Sequence, residues 1–245
     1  MGIISWLAGK NNLYYPGCLT KFILPEKLAN YREILNLLGV DFIMLKEEIC
    51  CGSPILNAGY RKDFRDVALK NFELFKKKNI GKIITNCPAC FKTFNQEYKK
   101  FIPEWNIPAE HFTLTIFNML KKKSKLIKKL ANEKIIYHDP CHLGRYNKIY
   151  EEPREVLRLL GYQVMELPLN RENSLCCGGG GGLKANNPEL SNKIAKKIFE
   201  YVKGSGVSKI ISTCPMCFSQ FKENFQGIEV LEFSDVVLNA LKKDK

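Results

Sequence analysis

The stretch KIISTCPMCFSQF, Lys209 to Phe221, joins a short apolar run to a Cys-Pro-x-Cys turn. A similar stretch, KIITNCPACFKTF, occupies Lys82 to Phe94. The paired isoleucines predict a buried strand, and the proline fits the first turn of a helix, where its missing N–H costs little. Cysteines at the positive end of a helix are favoured as thiolates, the form that binds metals. Each stretch therefore predicts a strand that leads directly into two reactive cysteines and a helix.

Two further pairs of motifs show that the chain contains an internal duplication. YYPGCLTKF is matched by YHDPCHLGR, and EEICCGSPILNAG is matched by NSLCCGGGGGLKAN. All ten cysteines are used, five in each copy and in the same order. The first copy holds Cys18, Cys50, Cys51, Cys87 and Cys90, and the second holds Cys141, Cys176, Cys177, Cys214 and Cys217.

The predicted secondary structure is doubled as well. EKLANYREILNLLG and EEPREVLRLLG have helical spacing and end at Gly39 and Gly161, as helix C-termini often do. VDFIML and YQVMEL are predicted as strands, and longer helices are predicted over residues 64–78 and 188–203. Alternating strands and helices indicate a parallel α/β sheet in each half. We place the domain boundary in the basic stretch of residues 121–133, giving domains 1–125 and 126–245.

The cysteines are expected to meet at one edge of each sheet, because ligands collect beyond the carboxyl ends of parallel strands. Structural zinc would use four tetrahedral ligands, so a fifth cysteine adjacent to another is surplus. Thioredoxin-type exchange needs only one Cys-x-x-Cys. A polynuclear iron–sulfur cluster suits five thiolates better, since its irons are spread over several ångströms. A zinc-bearing scaffold stays open as a non-enzymatic alternative.

The five glycines from Gly178 to Gly182 directly follow the second cysteine pair. Glycine lets the backbone pass close to a bulky group and leaves its N–H groups free to donate to sulfur. The alternative is a flexible surface loop. The segment lacks the Gly-Lys-Ser/Thr ending of a phosphate loop, because Leu183 precedes Lys184.

Composition favours a globular, cytoplasmic protein. The net charge is +13, and 45% of the residues are hydrophobic. No apolar run approaches the roughly 20 residues that a spanning helix needs, and MGIISWLAG lacks the basic start of a signal peptide. Ten cysteines without a secretory signal point to metal or redox chemistry in a reducing compartment. The basic clusters, such as KKKSKLIKK, accompany no nucleic-acid-binding motif, so we expect no nucleic-acid partner.

The order Cys, CysCysGly and Cys-x-x-Cys, present twice, resembles the CCG (cysteine-rich) domain family from about Tyr14 to Phe233. Tandem copies occur in heterodisulfide reductase subunits and in iron–sulfur subunits of glycolate, lactate and glycerol-3-phosphate oxidising systems. The resemblance implies two homologous α/β halves related by pseudo-two-fold symmetry. It also implies that each five-cysteine set binds one [4Fe–4S] cluster, of the noncubane type, with one cysteine bridging two irons.

The resemblance implies the reduction of a disulfide where the two halves meet. The alternative is an electron-transfer subunit beside an FAD-linked 2-hydroxy acid or glycerol-3-phosphate dehydrogenase. The sequence has no ferredoxin-type cysteine run and no flavin or nicotinamide fingerprint. We therefore expect a partner subunit that carries cubane clusters or flavin. The basic composition would suit an anionic disulfide or thiol substrate.

Three residues beside Cys141 are candidates for catalysis. His138 or His142 could donate a proton during disulfide reduction, and Arg145 could bind an acidic group of the substrate. Each has a plain structural alternative, as a turn residue or a surface ion pair. The phenylalanines that follow the Cys-Pro-x-Cys turns are predicted to be core residues rather than an electron route; they are Phe91, Phe94, Phe218 and Phe221.

Overall fold

The computed structural model describes residues 9–128 and 130–242. Most of the apolar start MGIISWLAG, for which no signal peptide is predicted, lies outside the described residues. The described chain forms two parallel sheets, one in each half. The predicted fold, two homologous α/β halves with parallel sheets, is confirmed.

Residues 9–128, the described part of the first half and the link, contain three strands and seven α-helices. The strands are β1 (Asn11–Tyr14), β2 (Ile80–Thr85) and β3 (Ala109–His111). The helices are α1 (Cys18–Phe22), α2 (Pro25–Leu37), α3 (Ser53–Asn57), α4 (Arg61–Lys77), α5 (Pro88–Lys92), α6 (Tyr98–Phe101) and α7 (Phe112–Lys122). A π-helical turn, Thr93–Glu97, joins α5 to α6, and a 3-10 turn, Ser124–Leu126, follows α7.

In the second half, the described residues 130–242 form four strands and six α-helices. The strands are β4 (Lys134–His138), β5 (Gln163–Met165), β6 (Lys209–Ser212) and β7 (Glu229–Glu232). The helices are α8 (Gly144–Asn147), α9 (Glu151–Leu159), α10 (Leu183–Asn186), α11 (Pro188–Gly204), α12 (Pro215–Asn224) and α13 (Phe233–Leu241). A 3-10 turn, Arg171–Asn173, precedes the second cysteine pair.

The two sheets have the same strand order. The second sheet runs β5-β4-β6-β7 and the first runs β1-β2-β3, all parallel. The position of β5 is taken in the first half by Ile43, which forms a single parallel bridge to Leu13. The prediction of a regular strand over VDFIML was therefore wrong. Only Ile43 exchanges ladder hydrogen bonds, with Asn12 and Tyr14.

The halves share a continuous hydrophobic core. Helix α7 of the first half packs on α9 of the second, and α13 of the second packs on α2 of the first. The core between these helices includes Tyr31, Phe112, Leu157 and Val237, each at most 1% exposed. This reciprocal exchange of terminal helices is what a pseudo-two-fold relation between the halves produces.

The link between the halves is short and basic. The predicted boundary between residues 125 and 126 falls inside the 3-10 turn that follows α7, and it stays a prediction. The neighbouring Lys121, Lys122 and Lys123 are exposed, as expected of a solvated segment. Among the described residues, no helix combines the length and the apolar character required to cross a bilayer.

Candidate metal centre

All ten cysteines line one cavity of about 470 Å³. Each is delivered by a segment at the carboxyl edge of its sheet. Cys87 and Cys214 are the N-caps of α5 and α12, with a proline at the first helical position in both. The predicted convergence of the cysteines within each half is therefore observed, and both sets also face the same space.

The sulfur atoms make contacts in the same order in the two halves. In the first half, thiol–thiol interactions link Cys18 to Cys50, Cys50 to Cys51, Cys51 to Cys90 and Cys90 to Cys87. In the second half they link Cys141 to Cys176, Cys176 to Cys177, Cys177 to Cys217 and Cys217 to Cys214. The Cys217 Sγ to Cys177 Sγ distance is 3.2 Å. We call these sets the first and the second quintet.

One cysteine in each quintet has a strongly lowered pKa, which favours its thiolate. The interaction with the Cys18 thiol is the main cause that lowers the pKa of Cys50 to about 2, and Cys141 does the same for Cys176. The same interactions raise the pKa of Cys18 and of Cys141, and the Cys90 thiol lowers the pKa of Cys87. Binding of a metal cluster would require the remaining thiols to lose their protons.

Backbone amides of glycine also point at the sulfur atoms. Gly52 N donates to Cys50 Sγ over 3.4 Å, and Gly178 N donates to Cys176 Sγ over 3.4 Å. Gly179 N lies 3.5 Å from Cys177 Sγ. At Gly17 (φ +77°), an added Cβ would lie 3.2 Å from Cys90 Sγ, so a side chain there would enter the first quintet. Glycine is therefore required where the backbone passes the sulfurs.

The donor set fits a polynuclear cluster better than a single ion. In the part of the chain that the structure describes, no three His, Cys, Asp or Glu side chains are arranged to hold one metal ion. Five thiols spread along two loops and a helix start suit a group whose irons are several ångströms apart. Which cysteines hold metal stays a prediction.

Sequence reasoning missed two buried polar residues that support the first cysteine pair. Asn71 Nδ2 donates to the carbonyl of Cys50 and to Tyr98 Oη, both over 2.9 Å, and Tyr98 Oη donates to the carbonyl of Cys51 over 3.2 Å. Both side chains are 0% exposed. Asn71 lies on the face of α4 that buries Phe64, Ala68 and Phe75. A polar residue at such spacing is the signal that could have identified it.

A buried ion pair supports the turn that leads to Cys141. Arg154 on α9 is 0% exposed, and two of its nitrogens each lie 2.7 Å from an Asp139 carboxylate oxygen. Glu166 receives two further hydrogen bonds from the same guanidinium. Asp139 lies two residues before Cys141 and also accepts from Arg171 N. Arg154 therefore fixes the turn that presents Cys141.

The three candidate catalytic residues lie in different environments. His142 lines the cavity, with Nδ1 3.3 Å from Cys141 Sγ, and burial lowers its pKa. His138 is 1% exposed, and burial lowers its pKa to about 4 while the charge on Asp139 opposes this. Arg145 donates to the carbonyl of Ser174, two residues before Cys176. Their catalytic roles stay predictions.

The aromatic residues after the Cys-Pro-x-Cys turns are core residues, as predicted. Phe94 and Phe221 are 0% exposed, and Phe91 and Phe218 are at most 6% exposed. Phe94 packs beneath Tyr15, and Phe221 beneath His138. Phe94 shares a hydrophobic cluster with Cys51 and Cys90, and Phe218 and Phe221 share one with Cys177 and Cys217.

Comparison with known proteins gives consistent relatives. An uncharacterized iron–sulfur protein of Methanocaldococcus jannaschii is 31% identical over 213 residues, which cover 87% of this chain and 41% of that protein. A subunit of the dihydromethanophenazine:CoB–CoM heterodisulfide reductase from Methanosarcina acetivorans is 30% identical over 241 residues, 95% of this chain and 59% of that one. A probable iron–sulfur-binding oxidoreductase of Bacillus subtilis is 32% identical over 83% of this chain and 29% of its own length.

The chain spans between about a third and three fifths of the length of these curated relatives. Solved structures show only a remote likeness: Picrophilus torridus aspartate racemase gives a TM-score of 0.41 at 11% identity, covering 96% of this chain and 93% of that one. Residues 12–95 and 135–222 each match the CCG cysteine-rich domain. With one copy of that domain in each sheet-forming half, the chain is a tandem member of the CCG cysteine-rich domain family.

Proposed function

We propose that the chain is an iron–sulfur subunit of an oxidoreductase that reduces a disulfide. The first quintet holds one [4Fe–4S] cluster and the second quintet holds another, both of the noncubane type that the resemblance implies. The observation that supports this proposal is the common cavity of about 470 Å³, because all ten cysteines line it. A disulfide placed there has one quintet on either side.

The net reaction consumes one disulfide, two electrons and two protons, and it releases two thiols. When bound, the two clusters supply the electrons singly. The protein's part is to admit the disulfide between the halves and to exclude water. Apolar lining residues such as Leu19, Pro54 and Met216 suit that task, because apolar side chains beside the sulfur atoms offer water no hydrogen bonds. The electrons come from a partner subunit that carries cubane clusters or flavin.

His142 is positioned to hold one of the two protons. Its Nδ1 faces Cys141 Sγ, and Nε2 makes no hydrogen bond to the described residues. The ring lines the cavity, so a proton on Nε2 is available to a product thiolate. His138 is too deeply buried to reach a substrate directly, and Arg145 holds the Ser174 loop. Of the three candidates, His142 is the one that contacts the substrate.

Among the described residues that line the cavity, one lysine is available to bind an anionic group of the substrate. Lys184, after the glycine run, lies at this surface, and Glu223 pairs with it at 2.6 Å. The pair is partly exposed, so a carboxylate, sulfonate or phosphate of the substrate could replace Glu223 at low cost. An anionic disulfide or thiol is therefore the proposed substrate class.

A second function is favoured by the Bacillus subtilis relative and by a relative from Syntrophomonas wolfei named an EtfAB:quinone oxidoreductase. In it, the clusters pass electrons between a flavin-linked dehydrogenase, for a 2-hydroxy acid or glycerol 3-phosphate, and another carrier. Such a relay needs no space for a substrate between the quintets. The cavity lining extends beyond the sulfurs to His142 and the partly exposed Lys184, groups that a relay does not need, and this favours disulfide reduction.

Anaerobic purification followed by metal analysis and electron paramagnetic resonance tests the proposal. Two clusters require roughly eight irons and as many acid-labile sulfides per chain. A new paramagnetic signal on addition of an oxidising disulfide supports disulfide reduction. No change with any disulfide supports the relay, and zinc without iron supports a scaffold. Reduction of a disulfide by the isolated chain with NAD(P)H would show that no partner subunit is required.

The proposal also includes the division of the chain into domains and its cellular compartment. The two CCG copies form domains 1–125 and 126–245, each with its own quintet. Ten unpaired cysteines are suited to a reducing compartment, so the chain is proposed to be cytoplasmic. It needs no flavin, nicotinamide or nucleic acid bound to its own residues.

A further inference from the structure

His138 is buried with both ring nitrogens unsatisfied. It ends β4, is 1% exposed, and neither Nδ1 nor Nε2 has a hydrogen-bond partner among the described residues. A neutral imidazole carries one N–H donor and one acceptor. Leaving such a group buried and unpaired costs about 1–3 kcal/mol. A partner from outside the protein chain would remove that cost.

The equivalent residue of the first half has no such deficit. Tyr15 lies three residues before Cys18, as His138 lies three before Cys141. Both rings stand edge-on to an equivalent phenylalanine. The ring centroids of Tyr15 and Phe94 are 5.0 Å apart with an interplanar angle of 88°, and those of His138 and Phe221 are 4.8 Å apart with an angle of 85°. The Tyr15 hydroxyl donates to the carbonyl of Ile49 over 2.7 Å. The halves therefore match in packing but differ in hydrogen bonding.

The unsatisfied ring lies beside the second quintet. His138 interacts electrostatically with Cys176, the favoured thiolate of that quintet. Its ring rests on Phe221, one turn of α12 beyond Cys217. No described protein group accepts a hydrogen bond from the ring N–H. The group that the second quintet binds is therefore the partner available to it.

Backbone amides act on sulfurs of both quintets. Gly178 N and Gly179 N point at sulfurs of the second quintet. In the first quintet Gly52 N points at Cys50, and the amides of Cys90 and Ala89 lower the pKa of Cys87. Hydrogen bonds to cluster sulfurs stabilise the more negative, reduced state, and thus raise the reduction potential.

Resting on the proposed binding of one cluster to each quintet, we infer that His138 donates its ring N–H to a sulfur of the second centre. Since the Tyr15 hydroxyl is already bonded to Ile49, the first centre has no equivalent donor, and this bond gives the second centre a higher reduction potential than the first. His138 is then a positioning and tuning residue, because it acts through the bound group and does not touch the substrate. Electrons that enter at the first centre pass to the second.

The test is a potentiometric titration of the anaerobically prepared protein, followed by electron paramagnetic resonance. His138→Phe keeps a ring on Phe221 but removes the donor, and the higher-potential wave is expected to move to lower potential. His138→Gln retains an N–H and is expected to restore part of the shift. Tyr15→Phe is the matched control and should move neither wave. Cys50→Ala and Cys176→Ala assign each wave to its half.

A second measurement leaves His138 itself in place. In protein labelled with ¹⁵N-histidine, pulsed electron paramagnetic resonance should detect a nitrogen coupled to the second centre. The coupling should survive His142→Gln, which removes the other histidine near that quintet. Full iron content with no nitrogen coupling, or unmoved waves in His138→Phe, overturns the role of His138 and leaves the proposed function standing. Absence of iron overturns both.

Discussion

The two halves place their sulfurs alike and support them differently. Arg32 and Arg154 occupy the same position of the repeat, yet Arg32 is exposed and Arg154 is fully buried. The reason lies in the turn before the first cysteine, which has Pro16 in one half and Asp139 in the other. Only Asp139 offers a carboxylate to pair with. The first half instead holds its cysteine pair through Asn71.

This difference shows which features the sulfur geometry requires. The order of thiol contacts is identical in the two quintets although their supporting groups have little in common. The strand, turn and helix start therefore suffice to bring the five sulfurs together. The surrounding residues are free to diverge, and they give each half its own stability and electrostatics.

The most direct way to break the comparison is to remove one cysteine from each half. Cys50→Ala and Cys176→Ala each delete the favoured thiolate of one quintet. We expect each variant to retain roughly four of the eight irons, because the other quintet is intact. Iron and acid-labile sulfide analysis after anaerobic purification measures this.

The double variant Cys50→Ala/Cys176→Ala serves as the control and should contain no cluster. If either single variant loses all of its iron while circular dichroism shows a folded chain, the quintets are not independent. That result would contradict the assignment of one cluster to each half.

Breaking the buried ion pair comes next in expected effect. Arg154→Met leaves Asp139 buried without its partner, which typically costs about 3–5 kcal/mol. Arg32→Met, at the equivalent but exposed position, should change the free energy of unfolding by no more than about 0.5 kcal/mol. Urea unfolding of the metal-free protein compares the two. Equal losses for both variants would show that the Asp139 pair contributes nothing specific.

Much of this arrangement follows from sequence patterns. The repeat of the cysteine motifs predicts the duplicated sheets, and the Cys-Pro-x-Cys turns predict the N-caps Cys87 and Cys214. Helix ends at Gly39 and Gly161 are also as expected, since both glycines have positive φ. These features are local, and their residues have few alternatives in the required conformation.

The features that could not be predicted depend on long-range contacts. Asn71 reaches the Cys50 carbonyl across 21 residues. VDFIML has the composition of a strand, but only Ile43 pairs with the sheet, because the chain beyond it leaves the edge. That both quintets share one cavity depends on how the halves pack, which no motif within either half encodes.

The support of the first cysteine pair gives a smaller effect. Asn71→Leu keeps the branching at Cγ but leaves the carbonyl of Cys50 and the hydroxyl of Tyr98 with fewer partners. We expect a loss of about 1–3 kcal/mol in the free energy of unfolding. Ile198→Leu, at the equivalent position of the second half, is the control and should cost less than about 1.5 kcal/mol. An unchanged midpoint for Asn71→Leu would make its hydrogen bonds dispensable.

The smallest expected effect is a difference between the halves in how their stability depends on pH. His111 and Glu232 are equivalent N-caps, of α7 and α13, and both are buried. Burial lowers the pKa of His111 to about 3 and raises the pKa of Glu232 to about 7. Stability from neutral His111 is lost as pH falls from about 6.5 towards 3, because the unfolded chain binds the proton more tightly. Stability from protonated Glu232 is complete below about 4.5 and is lost as pH rises through 7.

Between pH 4.5 and 6.5, the two groups therefore change the free energy of unfolding in opposite directions as pH rises. Each changes it by at most about 1.4 kcal/mol per pH unit. His111→Asn retains an N-cap but removes the positive slope, so its stability relative to the native chain should rise as pH falls. Glu232→Gln removes the negative slope and should gain relative stability as pH rises, since no buried carboxylate has to ionise beside Tyr31. Unfolding free energies of the metal-free protein at pH 5, 6 and 7 measure both differences. Parallel curves for the two variants would mean that these equivalent caps do not titrate in opposite directions.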